Sequence, residues 1–103
     1  MSELGEKRKL FTRLLPRLID KMLEDGYDPM LGKEGLKHMQ SSLHLEGLAK
    51  DIDLTKDGKY LTQTEDHKVF GEFWEGLHPD CRWGGRFKAS DGNHYSIAYG
   101  GRK

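Results

Sequence analysis

Two widely separated stretches of the chain carry apolar residues at the spacing of an α-helix. The first predicts a helix that ends near Gly26. Pro16 fits this helix either in its first turn, after a cap at Thr12, or at a kink in a longer helix. The second helix is predicted to begin at residues 64–66, which include two acids, and to end at His78 and Pro79. The first stripe, which we interpret as core, consists of Leu10, Phe11, Leu14, Leu15, Leu18, Ile19, Met22 and Leu23, and the second of Val69, Phe70, Phe73, Trp74 and Leu77.

Shorter segments with alternating apolar residues predict strands. One strand is expected at residues 49–54, and a turn at 56–59 leads to a paired strand that begins at 60–61. The last strand is expected at 94–99, whereas residues 27–35 have the Gly and Pro content of a loop. The order of helix, strands, helix and strand predicts a single α+β domain over residues 1–103, with a small antiparallel sheet and flanking helices.

Charge and composition narrow the function classes. The chain has 17 basic and 17 acidic residues, and this zero net charge argues against a dedicated nucleic-acid-binding protein. No stretch approaches the roughly 20 apolar residues of a membrane span, so no membrane insertion is expected. No secretory signal is visible, which predicts a protein that is cytoplasmic on synthesis. Cys81 is the single cysteine, so an intramolecular disulfide is impossible. We also expect a monomer.

Potential metal ligands lie on the strand predicted at 49–54 and in the loop that precedes it. His44 would lie in the loop that leads into the strand, and Asp51 on the strand itself. Both residue types bind zinc, at about 2.0 to 2.2 Å. Gly47 allows a tight turn between them. Asp53 points to the same face of a strand as Asp51, so one carboxylate is expected to bind metal and the other to orient a ligand or a water.

A further pair of candidates precedes the last strand. His94 would complete a set of three protein ligands, which leaves one coordination position for water, as in catalytic zinc sites. Asp91 lies three residues earlier across a turn, close enough to take a proton from that water and pass it to a leaving amine. The spacing alone leaves open that His44 has a purely structural role. His38, His67 and His78 are better explained as an exposed polar residue, a helix-surface residue and a helix-end residue, respectively.

Two motifs in the chain resemble the signatures of one peptidase family. The first is S-x-H-x-x-G-x-A-x-D, and the second is D-x-x-H followed by an aromatic, often just after W-G-G. Over residues 42–99, the chain resembles the zinc metallopeptidases that include D-alanyl-D-alanine carboxypeptidases and the L-alanyl-D-glutamate peptidases used as bacteriophage endolysins. The matching residues are Ser42, His44, Gly47, Ala49 and Asp51 in the first motif, and Trp83, Gly84, Gly85, Asp91, His94 and Tyr95 in the second.

This resemblance implies a set of roles. It implies a Zn²⁺ ion on His44, Asp51 and His94, with Asp91 as the catalytic acid/base. The implied fold is the small α+β fold that the family shares with the hedgehog signalling domain. The implied substrate is a peptide that contains D-amino acids, as in peptidoglycan stems, and the motifs do not indicate which bond is cut.

The resemblance also implies supporting residues, and it has one departure. Ser42 would support the site by hydrogen bonding, and Trp83 would be either a wall of the substrate cleft or a core aromatic. Family members usually have an arginine before the first motif that stabilises the oxyanion, but residues 27–41 contain none. The remaining candidates for this role are Lys33, Lys37, Gln40, Arg82 and Arg86.

Two functions are therefore expected from the sequence. The first is a peptidoglycan peptidase of endolysin type that acts on the cell wall after its release from the cytoplasm. The second is a catalytically weak or inactive zinc module that binds a peptide or protein partner, which the missing arginine favours. The carboxylate of Asp91 favours the enzyme, because a structural zinc site has no use for an additional carboxylate beside the metal.

Overall fold

The computed structural model of the protein describes residues 2–32, 43 and 47–103. Within this part of the chain, two α-helices pack against a five-stranded antiparallel sheet, which confirms the predicted α+β class. No helix in the described part is long and apolar enough to cross a membrane. The elements are α1 (Glu3–Glu24), β1 (Asp28–Leu31), β2 (Ala49–Lys56), β3 (Lys59–Leu61), a 3-10 turn (Thr64–His67), α2 (Lys68–Leu77), β4 (Cys81–Trp83), a second 3-10 turn (Gly84–Arg86) and β5 (His94–Ile97).

Strand β2 is the centre of the sheet. The strand order is β1-β2-β5-β4, and β3 also pairs with β2. Strand β5 pairs with residues 49–51 of β2, whereas β3 pairs with residues 54–56. Asp53 lies between the segment of β2 that pairs with β5 and the segment that pairs with β3, and on the other side of β2 it pairs with Met30 of β1. The centre of β2 therefore borders a gap between β3 and β5.

Helix α1 is longer than predicted at its N-terminal end. Ser2 caps it by accepting a hydrogen bond from the Gly5 N–H at 3.0 Å. The expected cap at Thr12 is wrong, because the Thr12 hydroxyl lies within the helix and donates to the Arg8 carbonyl. Pro16 is inside the helix and exposed. Proline cannot donate the usual hydrogen bond four residues back, and exposure lets water reach the carbonyl that loses it.

Both helices cover the same face of the sheet. The indole N–H of Trp74 on α2 donates to the carbonyls of Arg82 and Ser96, at 3.1 Å each, and so ties the helix to β4 and β5. The buried core consists of Phe11, Leu14, Leu18 and Met22 of α1, Phe70 and Trp74 of α2, and Ile52, Leu54, Cys81, Trp83, Tyr95 and Ile97 of the sheet. The stripe residues thus lie in the core or pack against it, with two exceptions: Leu23 is 53% exposed and Val69 is 60% exposed. The opposite face of β2 and β5 carries the polar residues.

Strands β1 and β4 were not predicted. Strand β1 lies within the expected loop at 27–35 and contains Pro29, which is tolerated because β1 is an edge strand. Strand β4 has only three residues, too few for an alternating pattern. Strand β2, strand β3 and the end of α2 at Leu77 agree with the predictions, and β5 is shorter than predicted at its end.

Candidate metal centre

Asp51 and His94 are brought together by strand register. They are directly opposite each other on β2 and β5, so their side chains project from the same face of the sheet. The Asp51 Oδ1 atom is buried and lies 3.7 Å from His94 Nδ1. His94 itself is 7% exposed. The sequence prediction that these two residues share a site is consistent with this pairing.

Asp91 joins them from the loop before β5. One ligand atom each of Asp51, Asp91 and His94 lies within 4.8 Å of the others. We refer to these three residues as the metal cluster. Two hydrogen bonds hold the loop: the Asp91 N–H donates to the Gly84 carbonyl at 2.9 Å, and the His94 N–H donates to the Asp91 carbonyl at 3.1 Å. The turn between Asp91 and His94 thus places both side chains at the same site.

Gly84 is required by the close approach of this loop. A Cβ atom at position 84 would lie 2.1 Å from the Asp91 carbonyl oxygen and 2.7 Å from His94 Cβ. Both distances are far below van der Waals contact. The first glycine of W-G-G is therefore explained by the packing of the Asp91 loop on the second 3-10 turn.

Trp83 has a supporting role in the core. It is 3% exposed, and its indole N–H donates to the Gly92 carbonyl at 2.7 Å. Its ring packs so closely on Gly71 and Gly85 that a Cβ at either position would lie under 2.5 Å from it. Of the two alternatives for Trp83, the core aromatic is correct and the cleft wall is not. Trp83 positions the loop between Asp91 and His94.

The ring of His94 is oriented by a hydrogen bond on its other nitrogen. Nε2 lies 2.9 Å from the main-chain oxygen of Lys103, which also accepts from the Ser96 hydroxyl at 2.6 Å. Because a main-chain oxygen can only accept, Nε2 carries a proton, and Nδ1, which faces Asp51, is the nitrogen available to bind a metal. Such a hydrogen bond on the distal nitrogen is typical of metal-binding histidines.

The spacing of the donor atoms fits a small divalent ion. Two ligands about 2.0 to 2.1 Å from a tetrahedral metal are about 3.3 Å apart. The separation of 3.7 Å between Asp51 Oδ1 and His94 Nδ1 is close to this value. A group of two carboxylates and one imidazole suits zinc and also other divalent ions, so the cluster by itself does not select the metal.

Asp53 is bonded to the turn that carries the cluster. Its carboxylate accepts a hydrogen bond from the Asn93 amide at 3.0 Å, and the Ile52 N–H donates to the Asn93 main-chain oxygen at 2.8 Å. Tyr60 of β3 also bonds to Asp53, and desolvation together with this bond raises the pKa of Tyr60. Asp53, the aspartate expected to orient a ligand or a water, thus bonds β2 to the turn that carries the cluster.

Four of the predicted site residues lie outside the described residues: His44, Ser42, Lys37 and Gln40. Lys33 does as well. The described residues on either side of His44 are Leu43 and Gly47. Leu43 is buried, and its carbonyl accepts from the Leu48 N–H at 2.9 Å, just before β2 begins. Gly47 has φ +74°, as expected for the tight turn predicted there.

The two candidate arginines are both engaged away from the cluster. Arg82 donates to the carbonyls of Pro79 and Cys81, at 2.7 and 3.1 Å. Arg86 forms a salt bridge with Glu75 at 3.1 Å, and this pairing raises its pKa. Neither contact directs a guanidinium group at the metal cluster. The described contacts thus leave both arginines in structural roles.

His67 is a buried residue that the sequence interpretation missed. We expected it on a helix surface, but it is 3% exposed and its Nδ1 lies 2.7 Å from the Tyr95 hydroxyl. The expectation was wrong because residues 64–67 form a 3-10 turn before α2, which rotates His67 toward the sheet. Burial lowers the pKa of His67. Its spacing from Phe70 and Trp74, three and seven residues, was the available signal for burial.

No protein-family model matches this chain, and no curated protein matches it.

Proposed function

We propose that the chain is a zinc metallopeptidase in which His44, Asp51 and His94 hold the ion and Asp91 is the general acid/base. One observation carries this proposal: Asp51 Oδ1 and His94 Nδ1 lie 3.7 Å apart on facing strands, with the Asp91 carboxylate in the same cluster. The motif residues quoted from the sequence supply the third ligand. His44 lies seven residues before Asp51 and directly follows the buried Leu43.

The chemistry divides between the ion and the side chains. A zinc ion held there would lower the pKa of a coordinated water to about 7 and polarise a substrate carbonyl. Asp91 would accept the proton of the attacking water and donate it to the leaving amine, which typically contributes 10²- to 10⁴-fold in rate, approximately. Asn93, through Asp53, would hold Asp91 and His94 in register during both transfers.

The proposed substrate is a peptide bond in a peptidoglycan stem peptide. L-alanyl-D-glutamate endopeptidase and D-alanyl-D-alanine carboxypeptidase activities both agree with the motifs. We propose that the enzyme acts on the cell wall after release from the cytoplasm. A monomer with no nucleic-acid partner is sufficient for this role.

A non-catalytic zinc module that binds a peptide is the alternative. It is favoured by the contacts of Arg82 and Arg86, which bond to carbonyls and to Glu75 rather than to the cluster. Loss of one oxyanion donor costs about 10²- to 10³-fold in kcat. A peptidase that lacks such a donor would be slow, and a module that lacks turnover altogether would still bind zinc.

The test combines metal analysis with digestion of purified peptidoglycan. The native protein should contain one equivalent of zinc and release new amino termini from the substrate. Asp91→Asn should keep the zinc and lose at least about 100-fold in rate. His44→Ala should lose the zinc. The matched control is Asp57→Asn, which alters an exposed aspartate in the β2–β3 turn and should change neither quantity.

Each outcome separates the two functions. Zinc without digestion in the native protein would replace the peptidase with the binding module. Absence of zinc, together with no uptake on its addition, would overturn both. Zinc retained in His44→Ala would remove His44 from the ligand set and leave Asp91 as the third ligand.

A further inference from the structure

A polar cavity opens on the other side of Asp91. It has a volume of about 260 Å³ and lies in the gap between β3 and β5. We call it the Asp53 cavity. Its walls are residues 60–64 on one side and residues 90–93 on the other, together with Asp53 and His67. Because Asp91 belongs both to this wall and to the metal cluster, a group held in the cavity lies next to the reacting groups.

The walls of the Asp53 cavity are fixed in place. Gly92 packs against the start of the 3-10 turn, where a Cβ atom would lie 2.6 Å from Thr64 Cα. The Gly92 carbonyl accepts from the Trp83 indole, and Asn93 donates to Asp53. The two walls are thus held together by direct contact and by hydrogen bonds. We infer that the cavity is already formed before a ligand binds.

The charge of the cavity comes from its carboxylates. Asp53 accepts from Asn93 and Tyr60, and both of these donors are neutral, so they do not compensate its negative charge. Burial lowers the pKa of His67, which keeps its imidazole neutral near pH 7. None of the described lining residues is a lysine or an arginine. The cavity therefore repels anions and attracts cations.

We propose that the Asp53 cavity is a substrate subsite that binds a primary ammonium group, with the Asp53 carboxylate as its counter-ion. This inference rests on the proposed peptidase function, because the subsite adjoins the cluster through Asp91. Water occupies about 30 Å³ per molecule in the liquid, so the cavity has room for an amino-acid side chain. The hydroxyls of residues 62 and 64 and the carboxylate together offer several acceptors, which suits the three donors of an ammonium group.

The ammonium group has two possible sources in a peptide. It is either the amino terminus or the side-chain amine of a diamino residue. Four forms of the peptide L-alanyl-D-glutamyl-lysine separate these sources: free or acetylated at the amino terminus, each with lysine or with the neutral norleucine. The quantity to measure is kcat/KM for each form, or Kd by calorimetry for any form that is not cleaved.

The native protein should prefer the form with the relevant ammonium group by about 10-fold or more, since charge-assisted hydrogen bonds are roughly twice as strong as neutral ones. Asp53→Asn should abolish this preference. The variant keeps the shape of the side chain and an oxygen that accepts from Asn93, so a purely structural role would lower all four values together. Tyr60→Phe, which removes a neutral donor from the same carboxylate, should retain the preference.

The outcomes distinguish failure of the subsite from failure of the peptidase. Cleavage of the peptides with no preference for either ammonium group would overturn the subsite and leave the enzyme intact. A preference in Kd without cleavage would support the subsite and overturn the peptidase. A preference that survives in Asp53→Asn would exclude Asp53 as the counter-ion and overturn the proposal.

Discussion

Two buried histidines, His94 and His67, lie on opposite sides of the strand β5 and differ in what surrounds their rings. His94 projects from the polar face of the sheet, where Nε2 bonds a main-chain oxygen and Nδ1 faces Asp51. His67 packs toward the core face, where Nδ1 bonds the phenol of Tyr95. Both are almost fully buried, at 7% and 3% exposure.

The difference shows that burial of a histidine does not by itself indicate a ligand. A metal site needs an oriented ring and at least one further donor at ligand spacing. His94 has both, because the register of β2 and β5 fixes Asp51 opposite it. His67 has a neutral phenol in place of a carboxylate, and the pKa of Tyr95 is itself raised by burial. We therefore expect substitution of His94 to reduce zinc binding and substitution of His67 to leave it unchanged.

The largest expected effect is on metal binding. His94→Ala should reduce zinc affinity by more than about 100-fold, because it removes a direct ligand rather than an outer partner of one. His67→Ala should leave the zinc content at one equivalent. Equilibrium dialysis against a zinc chelator measures both. Loss of zinc in both variants would mean that the distinction between the two histidines is wrong and that His67 supports the cluster.

The next effect concerns the packing around His94. Gly84→Ala places a Cβ atom against the Asp91 carbonyl and His94 Cβ, so it should cost about 1–3 kcal/mol in the free energy of unfolding and weaken zinc binding. Gly76→Ala is the matched control. Gly76 lies in α2 with no atom within 4 Å of its Cβ position, so this change should stabilise the protein by about 0.5–1 kcal/mol.

Urea denaturation with and without zinc measures these two changes. Equal stability of Gly84→Ala and the native protein would show that the loop before β5 moves aside at no cost. In that case the close contact would not be what positions Asp91, and the hydrogen bonds of the loop, including the one from Asn93 to Asp53, would have to do so.

The sequence predicted the elements whose signal is local. Strand β2 alternates, and α2 has a stripe and a stop at Pro79, so β2 and the end of α2 were predicted correctly. The predicted helix start at residues 64–66 instead lies in a 3-10 turn, and α2 begins at Lys68. Asp51, Asp91 and His94 were chosen as neighbours from residue chemistry and a family resemblance, and their cluster agrees with that choice. A pairing of Asp51 with His94 is within reach of the sequence because both lie on predicted strands.

The elements that were missed depend on contacts between distant residues. Strand β1 carries a proline and exposed side chains, and only its pairing with β2 makes it a strand. The burial of His67 depends on Tyr95, which is 28 residues away. The Asp53 cavity is formed by residues from β2, β3, the β3–α2 connection and the loop before β5, and no local pattern predicts it.

An effect on stability without an effect on zinc binding tests the partner of His67. Tyr95→Phe removes the hydroxyl, so Nδ1 of the buried His67 loses this hydrogen-bond partner. The change should lower the free energy of unfolding by about 1–3 kcal/mol. The zinc content should not change. His67→Phe combined with Tyr95→Phe gives the control, because two residues that act as a pair should cost together little more than either alone. Full additivity in thermal unfolding would mean that the hydroxyl and the imidazole do not stabilise each other.

The smallest effect is the pH dependence that His67 imparts to the zinc-free protein. Burial lowers the pKa of His67 from 6.5, so below that pH the unfolded state binds a proton that the folded state does not. Stability should therefore fall as the pH decreases through 6.5. In His67→Phe, the slope of the free energy of unfolding against pH should be smaller by up to one proton.

Asp80 contributes only at more acid pH, because the hydrogen bond from Lys7 lowers the pKa of Asp80 from 3.8. Thermal unfolding in chelator from pH 8.5 to 5.5 measures this slope, and the two proteins should run parallel above pH 7.5, where His67 is neutral in both states. Equal slopes at every pH would show that His67 takes up a proton without leaving its contact with Tyr95.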